Sequence, residues 1–356
     1  MDSSRTLTYF IFFFISVLFS VMLNGLLLKF SKTLGMRNTN DAIIRWSEES
    51  KPSLGGISFY VIFLLSITSY SFIFNNSAIL GNNEFLGIVV SCTIAFLMGL
   101  ADDAYNTRPF FKFFVQVLCS FILIISGIYI RIFPWEWVNY LFTVFWIVGM
   151  MNSLNMLDNM DAITTSVSIS ILLTALLVIF LDHGFTSNIN VLLLLGVTGA
   201  LLGFLYYNWH PSKLFMGDTG SQFLGVFLAG MGILYFWNSY DSSGNLVQSK
   251  QFFVSILTFI IPICDTTTVV INRLSRKQSP FIGGKDHTTH HLSYLGFSDR
   301  QVSLVFIALS LLSMIFAVFI VYYIKDWGYI HISIFGVYFL LIFGFLFYVS
   351  KKTRPA

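Results

Sequence analysis

The chain has 356 residues, of which 56% are hydrophobic and only 10% charged, with a formal net charge of +3. Soluble domains carry about 25% charged residues, so an ordinary soluble globular protein is excluded, and no nucleic-acid partner is expected. The mean hydropathy of +0.78 and apolar runs of about 20 residues point to an all-α, polytopic integral membrane protein; the alternating pattern of an outer-membrane barrel is absent.

In chain order the predicted spans are 6–30, 54–74, 84–101, 112–132, 137–154, 163–181, 190–207, 220–238, 251–272, 302–324 and 329–350, about eleven in all. The first run stays apolar from Thr6 to Leu28 with no small-residue cleavage site after it, and reads as a retained span. An odd number of spans puts the termini on opposite sides. With the N-terminus outside and the C-terminus cytoplasmic, sixteen of the twenty Lys and Arg residues fall inside; only Arg5, Arg131, Lys250 and Lys325 fall outside, as the positive-inside rule requires. Cys92, Cys119 and Cys264 sit within predicted helices and have no metal or disulfide spacing. No repeat, linker or soluble segment interrupts the pattern, so residues 1–356 read as one transmembrane domain. Its polar chemistry is confined to inner loops near 31–53, 102–111, 155–162, 208–219 and 273–300.

Four inner clusters carry polar residues at a depth where they are costly and therefore functional by default. In "GLADDAYNTRPFFKFFVQ", 99–116, Asp102 and Asp103 end one span, and Lys112 and Gln116 share a face of the returning helix. In "MNSLNMLDNMDAITT", 151–165, Asn152, Asn155, Asp158 and Asp161 recur every three residues. On a continuous helix Asn155, Asp158 and Asp161 would share a face suited to a divalent cation or a nucleotide. In "NWHPSKLFMGDTGSQFLG", 208–225, Pro211 breaks a helix, Thr219 or Ser221 is placed to cap the next, and Asp218 sits beside an N-terminus that attracts phosphate. In "IPICDTTTVVINRLSRKQSPFIGGKDHTTHHL", Asp265, Thr268, Asn272 and Arg276 form one polar face ahead of a loop with four bases and His287, His290 and His291. That loop suits zinc or a cationic clamp for phosphates.

At least five carboxylates, a basic loop and three histidines on one membrane face provide what phosphoryl-type transfer needs: positioning, a cation across the phosphates, and countercharge. Mg²⁺ is the expected cofactor, with Mn²⁺ as the alternative, because it takes oxygen ligands and bridges one or two carboxylates to substrate phosphates. A site at the membrane edge suits one soluble and one lipid substrate.

At these residues the chain resembles the polyprenyl-phosphate N-acetylhexosamine-1-phosphate transferases, the glycosyltransferase family 4 enzymes that begin bacterial envelope glycans. That family carries Asp-Asp at a span end, Asn-x-x-Asp-Gly-x-Asp-Gly, Phe-Met-Gly-Asp-x-Gly-Ser and a His-rich loop. Here these read "GLADD", "NMLDNMDA", "FMGDTGS" and "KDHTTHHL". The resemblance implies transfer of HexNAc-1-phosphate from a UDP-HexNAc, with UDP-GlcNAc favoured, to undecaprenyl phosphate, with release of UMP, at the cytoplasmic face of a bacterial inner membrane. It implies Asp102 and Asp103 near the lipid phosphate, Asp102 as its base, and Lys112 contacting that phosphate. Asp218 becomes the metal ligand with Asp103 beside it, and Asn155 and Asp158 the catalytic floor. Asp161, Asn208 and Phe215 would hold uridine, and His287, His290, His291 and Arg276 would close over the diphosphate and sugar. Lys51 in "KPSLGG" joins the substrate-binding set, and a homodimer is an option. Asn159 and Ala162 replace the two glycines of the second motif, which points either to a more regularly helical segment or to a different donor. Two other readings compete: a secondary transporter or flippase for an anionic solute, and a zinc-dependent membrane protease.

Overall fold

The computed structural model describes residues 3–31, 51–74, 81–183, 188–240, 246–279 and 284–353. Among them every regular element is helical. Nine helices are long and apolar enough to cross a membrane: α1 (Ser3–Phe30), α2 (Gly55–Phe74), α3 (Asn83–Tyr105), α5 (Glu136–Leu157), α6 (Ile163–His183), α7 (Ile189–Asn208), α8 (Gly217–Gly232), α12 (Asp299–Tyr322) and α13 (Tyr329–Lys352). A π-helical turn, Ile233–Trp237, extends α8. This is the architecture of a multi-pass membrane protein, as the hydropathy of the sequence leads one to expect.

Two of the eleven expected spans are not continuous membrane-length helices. The fourth is α4 (Pro109–Ile125), 17 residues long. The ninth is broken into α9 (Gln248–Thr258) and α10 (Ile260–Ser275), bent by 78° at Phe259. Pro262 explains the break. It lacks an N–H and is tolerated only in a first turn, so the helix must restart just before it. The predicted inner loop over 31–53 lies mostly outside the described residues, as does 280–283 of the histidine loop.

The chain reverses between α3 and α4 in very few residues. Asn106 takes a left-handed conformation, φ 51°, and its N–H closes back on the Asp102 carbonyl at 2.8 Å. Pro109 then opens α4 at its first position. Asp102, Asp103 and Lys112 are thereby held at one end of the bundle. Close packing delivers α8 to the same place: a Cβ on Gly99 would lie 2.3 Å from the Asp218 carbonyl oxygen, so α3 meets the start of α8 only because that residue is glycine.

The continuous helix expected through Asp161 is not formed. Helix α5 ends at Leu157 with Asp158 as its cap residue, and Ala162 has φ 64°, a left-handed conformation costing an alanine roughly 1–2 kcal/mol. The Ala162 N–H is taken by Asn208 Oδ1 at 3.1 Å, which also accepts from Thr165 Oγ1 at 2.7 Å. Asn208 therefore secures the start of α6 from α7. The segment is thus a tight turn with strained backbone at Ala162, not the more regular helix that Asn159 and Ala162 suggested.

Candidate active site

Four helix ends build a charged centre: the C-terminal ends of α3 and α5 and the N-terminal ends of α4 and α8. Helix α8 has no side-chain cap of its own. Its orphan N–H groups, which every helix start leaves, are satisfied from α3. Asp103 Oδ1 accepts from the Asp218 N–H at 3.0 Å, and Oδ2 from the Thr219 N–H at 2.9 Å and Thr219 Oγ1 at 2.6 Å. The cap expected from Thr219 or Ser221 is thus supplied by Asp103. Gly217, at φ 72°, leaves room for it, since a Cβ there would lie 2.5 Å from Asp103 Oδ2.

Lys112 lies between two carboxylates. Its ammonium is paired with Asp102 Oδ2 and lies 2.7 Å from Asp218 Oδ2. The other Asp102 oxygen accepts from the Thr107 N–H at 2.8 Å and from the Thr107 hydroxyl. The other Asp218 oxygen accepts from Asn155 Nδ2 at 2.9 Å, which also donates to Ser221 Oγ at 2.9 Å. One turn deeper three of these four helices, α4, α5 and α8, are joined by amides. Gln116 Nε2 donates to Gln222 Oε1 at 3.1 Å, and Asn152 Nδ2 donates to Gln116 Oε1 at 2.8 Å. This layer holds α4, α5 and α8 in the register that brings Lys112, Asn155 and Asp218 together. Gln116 and Asn152 stand out in the sequence; Gln222 does not, and only its spacing of four from Asp218 could have marked it.

The donor chemistry fits a hard divalent ion. Asp102 and Asp218 already converge on one positive charge, the Lys112 ammonium, and Mg²⁺ is commonly held by one or two carboxylates with substrate phosphate completing its shell. Asp103, expected beside the metal, has both oxygens engaged on α8. Among the described residues no three His, Cys, Asp or Glu side chains gather as a metal site.

The residues expected to hold uridine form a second group. Asp161 Oδ1 accepts from Ser212 Oγ at 2.7 Å, and Oδ2 from the Ser212 N–H at 2.9 Å; His210 Nδ1 lies 3.2 Å from Oδ2. Asn208, besides securing α6, donates to the Leu214 carbonyl at 3.1 Å. Phe215 is half-buried, its backbone bonded to Pro52 ahead of α2 and to Gly55 at its start, and the Lys51 ammonium stands 5.5 Å from its ring centroid. Asp161 and Asn208 thus shape the 208–216 loop, while Lys51 and Phe215 form a cation–aromatic pair beside it.

His290 and His291 lie on a short helix, α11 (Thr288–Tyr294), packed against α10, α12 and α13, and His287 is its N-terminal cap residue. Arg273 grips Asp286 with two bonds, Nη2 to Oδ1 at 2.7 Å and Nε to Oδ2 at 3.0 Å. Burial alone would raise the Asp286 carboxyl, but the Arg273 guanidinium holds it below the usual carboxylate range. Arg276, expected over the diphosphate, caps α10 and is exposed. His287 is bonded through Nδ1 to Asp265, and His291 Nδ1 lies 2.6 Å from Thr353 Oγ1. Asn159 joins the two halves of the site: it follows Asp158 in the α5–α6 turn, and its Oδ1 accepts from Thr289 Oγ1 at 2.7 Å.

Burial pushes the His290 ring down to about 3, with a further lowering from His287; burial likewise lowers His291. Both are uncharged near neutrality, whereas an unfolded chain protonates them below about pH 6.5. The unfolded state then binds more protons, so stability is full above about pH 6.5 and declines as pH falls toward 3. The unfolding midpoint is expected to drop between pH 7 and pH 4, and His290→Gln to flatten that slope. An unchanged slope would contradict the buried neutral ring.

Residues 85–236, which carry Asp102, Asp103, Lys112, Asn155, Asp158, Asp161, Asn208, Phe215 and Asp218, match the family described as glycosyl transferase family 4. Three relatives are similar to the chain beyond that match. A Bacillus subtilis protein named "probable undecaprenyl-phosphate N-acetylglucosaminyl 1-phosphate transferase" is 28% identical over 318 residues, covering 85% of this chain and 83% of its own length. A Thermotoga maritima phospho-N-acetylmuramoyl-pentapeptide-transferase is 28% identical over 76% of this chain and 84% of its own length. A Mycolicibacterium smegmatis decaprenyl-phosphate N-acetylglucosaminephosphotransferase is 26% identical over 61% of this chain and 59% of its own length. Over residues 85–236, and in the motifs within them, the chain is thus similar to glycosyl transferase family 4.

Proposed function

We propose that the protein transfers a HexNAc-1-phosphate from a UDP-HexNAc, UDP-GlcNAc in the first instance, to undecaprenyl phosphate, at the cytoplasmic face of a bacterial inner membrane. The observation that carries this reading is the convergence of Asp102, Lys112, Asn155 and Asp218, from four separate helices, on one point at the helix ends. That end of the bundle also bears Lys51, Arg108, Lys213, Arg273, Arg276 and Lys285, the basic residues that favour the cytoplasmic side and attract phosphorylated substrates.

In the reaction an oxygen of the lipid phosphate attacks the β-phosphorus of the UDP-sugar. A new P–O–P bond forms, the bond from the β-phosphorus to the bridging oxygen breaks, and UMP departs with that oxygen. Lys112 holds the anionic reactants, and Asp102, on the same ammonium, is placed to take any proton left on the lipid phosphate. Asn155 fixes the Asp218 carboxylate. Asp218 and Asp102 would hold Mg²⁺, which supplies countercharge for the phosphates when bound. Direct attack is favoured over a covalent aspartyl intermediate, because the acceptor is already a phosphate oxyanion and needs no second nucleophile.

Purified protein supplied with Mg²⁺, UDP-GlcNAc and undecaprenyl phosphate is expected to release UMP, and Asp218→Ala to lower the rate at least about 10³-fold. Transport of label into vesicles with no UMP formed would replace the transferase with the transporter.

A further inference from the structure

Asp265 has no part in the chemistry above, yet it is fully buried within the broken span and accepts three hydrogen bonds from the start of α11. Its Oδ2 lies 2.9 Å from His287 Nδ1, and its Oδ1 accepts from the Thr288 N–H at 2.8 Å and from Thr288 Oγ1 at 2.6 Å. A carboxylate only accepts, so the proton of a neutral His287 ring must sit on Nδ1, and Nε2 is left with its lone pair. A carboxylate behind an imidazole sets both ring orientation and tautomer in this way.

The backbone carrying Asp265 is tied to the acid centre. Ser153 Oγ donates to the Pro262 carbonyl at 2.7 Å, and Thr266 Oγ1 donates to Ser153 Oγ at 2.7 Å. Ser153 lies on α5, two residues before Asn155, which holds Asp218. A second strut runs from Asn159 to Thr289. The 78° bend at Phe259 aims α10 so that a residue within a predicted span reaches the histidine helix.

We infer that Asp265 is a positioning residue that locks His287 as its Nδ1–H tautomer, so that Nε2 is the ring atom offered to the UDP-sugar. The inference rests on the transferase reading for its kinetic consequence, and on geometry alone for the tautomer.

Four variants and one spectrum test it. His287→Asn keeps a donor to Asp265 but has no Nε2; it is expected to fold as the wild type and to lose about 100-fold in kcat, with the donor KM changed less than about threefold. Asp265→Asn is expected to lose a similar factor, and Asp265→Asn/His287→Asn to be no slower than His287→Asn alone. Thr288→Val, which removes one bond to Asp265 and leaves the imidazole contact, is expected to stay within about threefold of wild type. Multiplying losses in the double variant, a wild-type rate in His287→Asn, or a Thr288→Val defect equal to that of Asp265→Asn would each overturn the inference and reduce Asp265 to a cap. In ¹⁵N-histidine-labelled protein, with His287 assigned by its loss in His287→Asn, the wild type should show the Nδ1–H tautomer and Asp265→Asn a shift toward Nε2–H. The same tautomer mixture in both would overturn the inference even in protein that releases no UMP, whereas absence of UMP with the tautomer shift intact would count against the transferase reading alone.

Discussion

Lys112→Met is expected to lower UMP release by about 10²–10³-fold, the loss typical when one preorganised donor to developing phosphate charge is removed. The reason lies in where the ammonium sits. It is paired with Asp102 and lies 2.7 Å from Asp218, so its removal leaves two carboxylates facing each other and takes away the cation that receives the lipid phosphate. Breaking a partly buried pair from one side is more damaging than the net worth of the pair. Lys112→Arg is expected to recover little. A planar fork with five donors does not substitute for a compact ammonium between two carboxylate oxygens. Initial rates against undecaprenyl phosphate concentration check this: a rate within threefold of wild type in Lys112→Met would remove the lysine from the centre.

Asp103→Ala is expected to cost about 100-fold in kcat without touching substrate, because it uncaps α8. Both the Asp218 N–H and the Thr219 N–H lose their acceptor, a loss of about 1–2 kcal/mol for a helix cap. The residue displaced is Asp218, and a misplacement of about 1 Å is enough for a hundredfold effect. Asp103→Asn should be nearly as poor. One of its two acceptor oxygens becomes an NH₂ group that faces donors on α8, whichever way the amide turns. Thr219→Val, which removes only the third bond, should be mild, within about fivefold. The ordering Ala, Asn, then Val, measured as kcat together with the unfolding midpoint, distinguishes this cap from direct metal binding by Asp103, in which case Thr219→Val would have no effect at all.

The helices were legible because a bilayer leaves a chain few options: long apolar runs must close their own hydrogen bonds as helices. Composition hides the break at Phe259, since the apolar run over 251–264 is nearly continuous and Pro262 is its one visible mark. The adjacent acids of 102–103, the DNMD segment and GDTGS were visible as polar residues in greasy sequence, and the structure brings Asp102, Asp103, Asn155 and Asp218 to one centre. Their division of labour was not visible. That Asp103 would serve α8 and Asp161 the 208–216 loop depends on partners more than 50 residues away. The every-third-residue spacing of Asn155, Asp158 and Asp161 misled because it assumes a helix, and Ala162 at φ 64° ends that helix. The Asp265–His287 bond was hidden for the same reason: it needs the bend between α9 and α10.

Following the β-phosphorus of the donor tests the account most directly. With UDP-GlcNAc labelled at that phosphorus and undecaprenyl phosphate in defined vesicles, the protein is expected to move the label into the organic phase as a lipid-linked diphosphate sugar and to leave unlabelled UMP in water, in equal amounts. Release of labelled UDP, or recovery of intact labelled UDP-GlcNAc inside the vesicles, would contradict it.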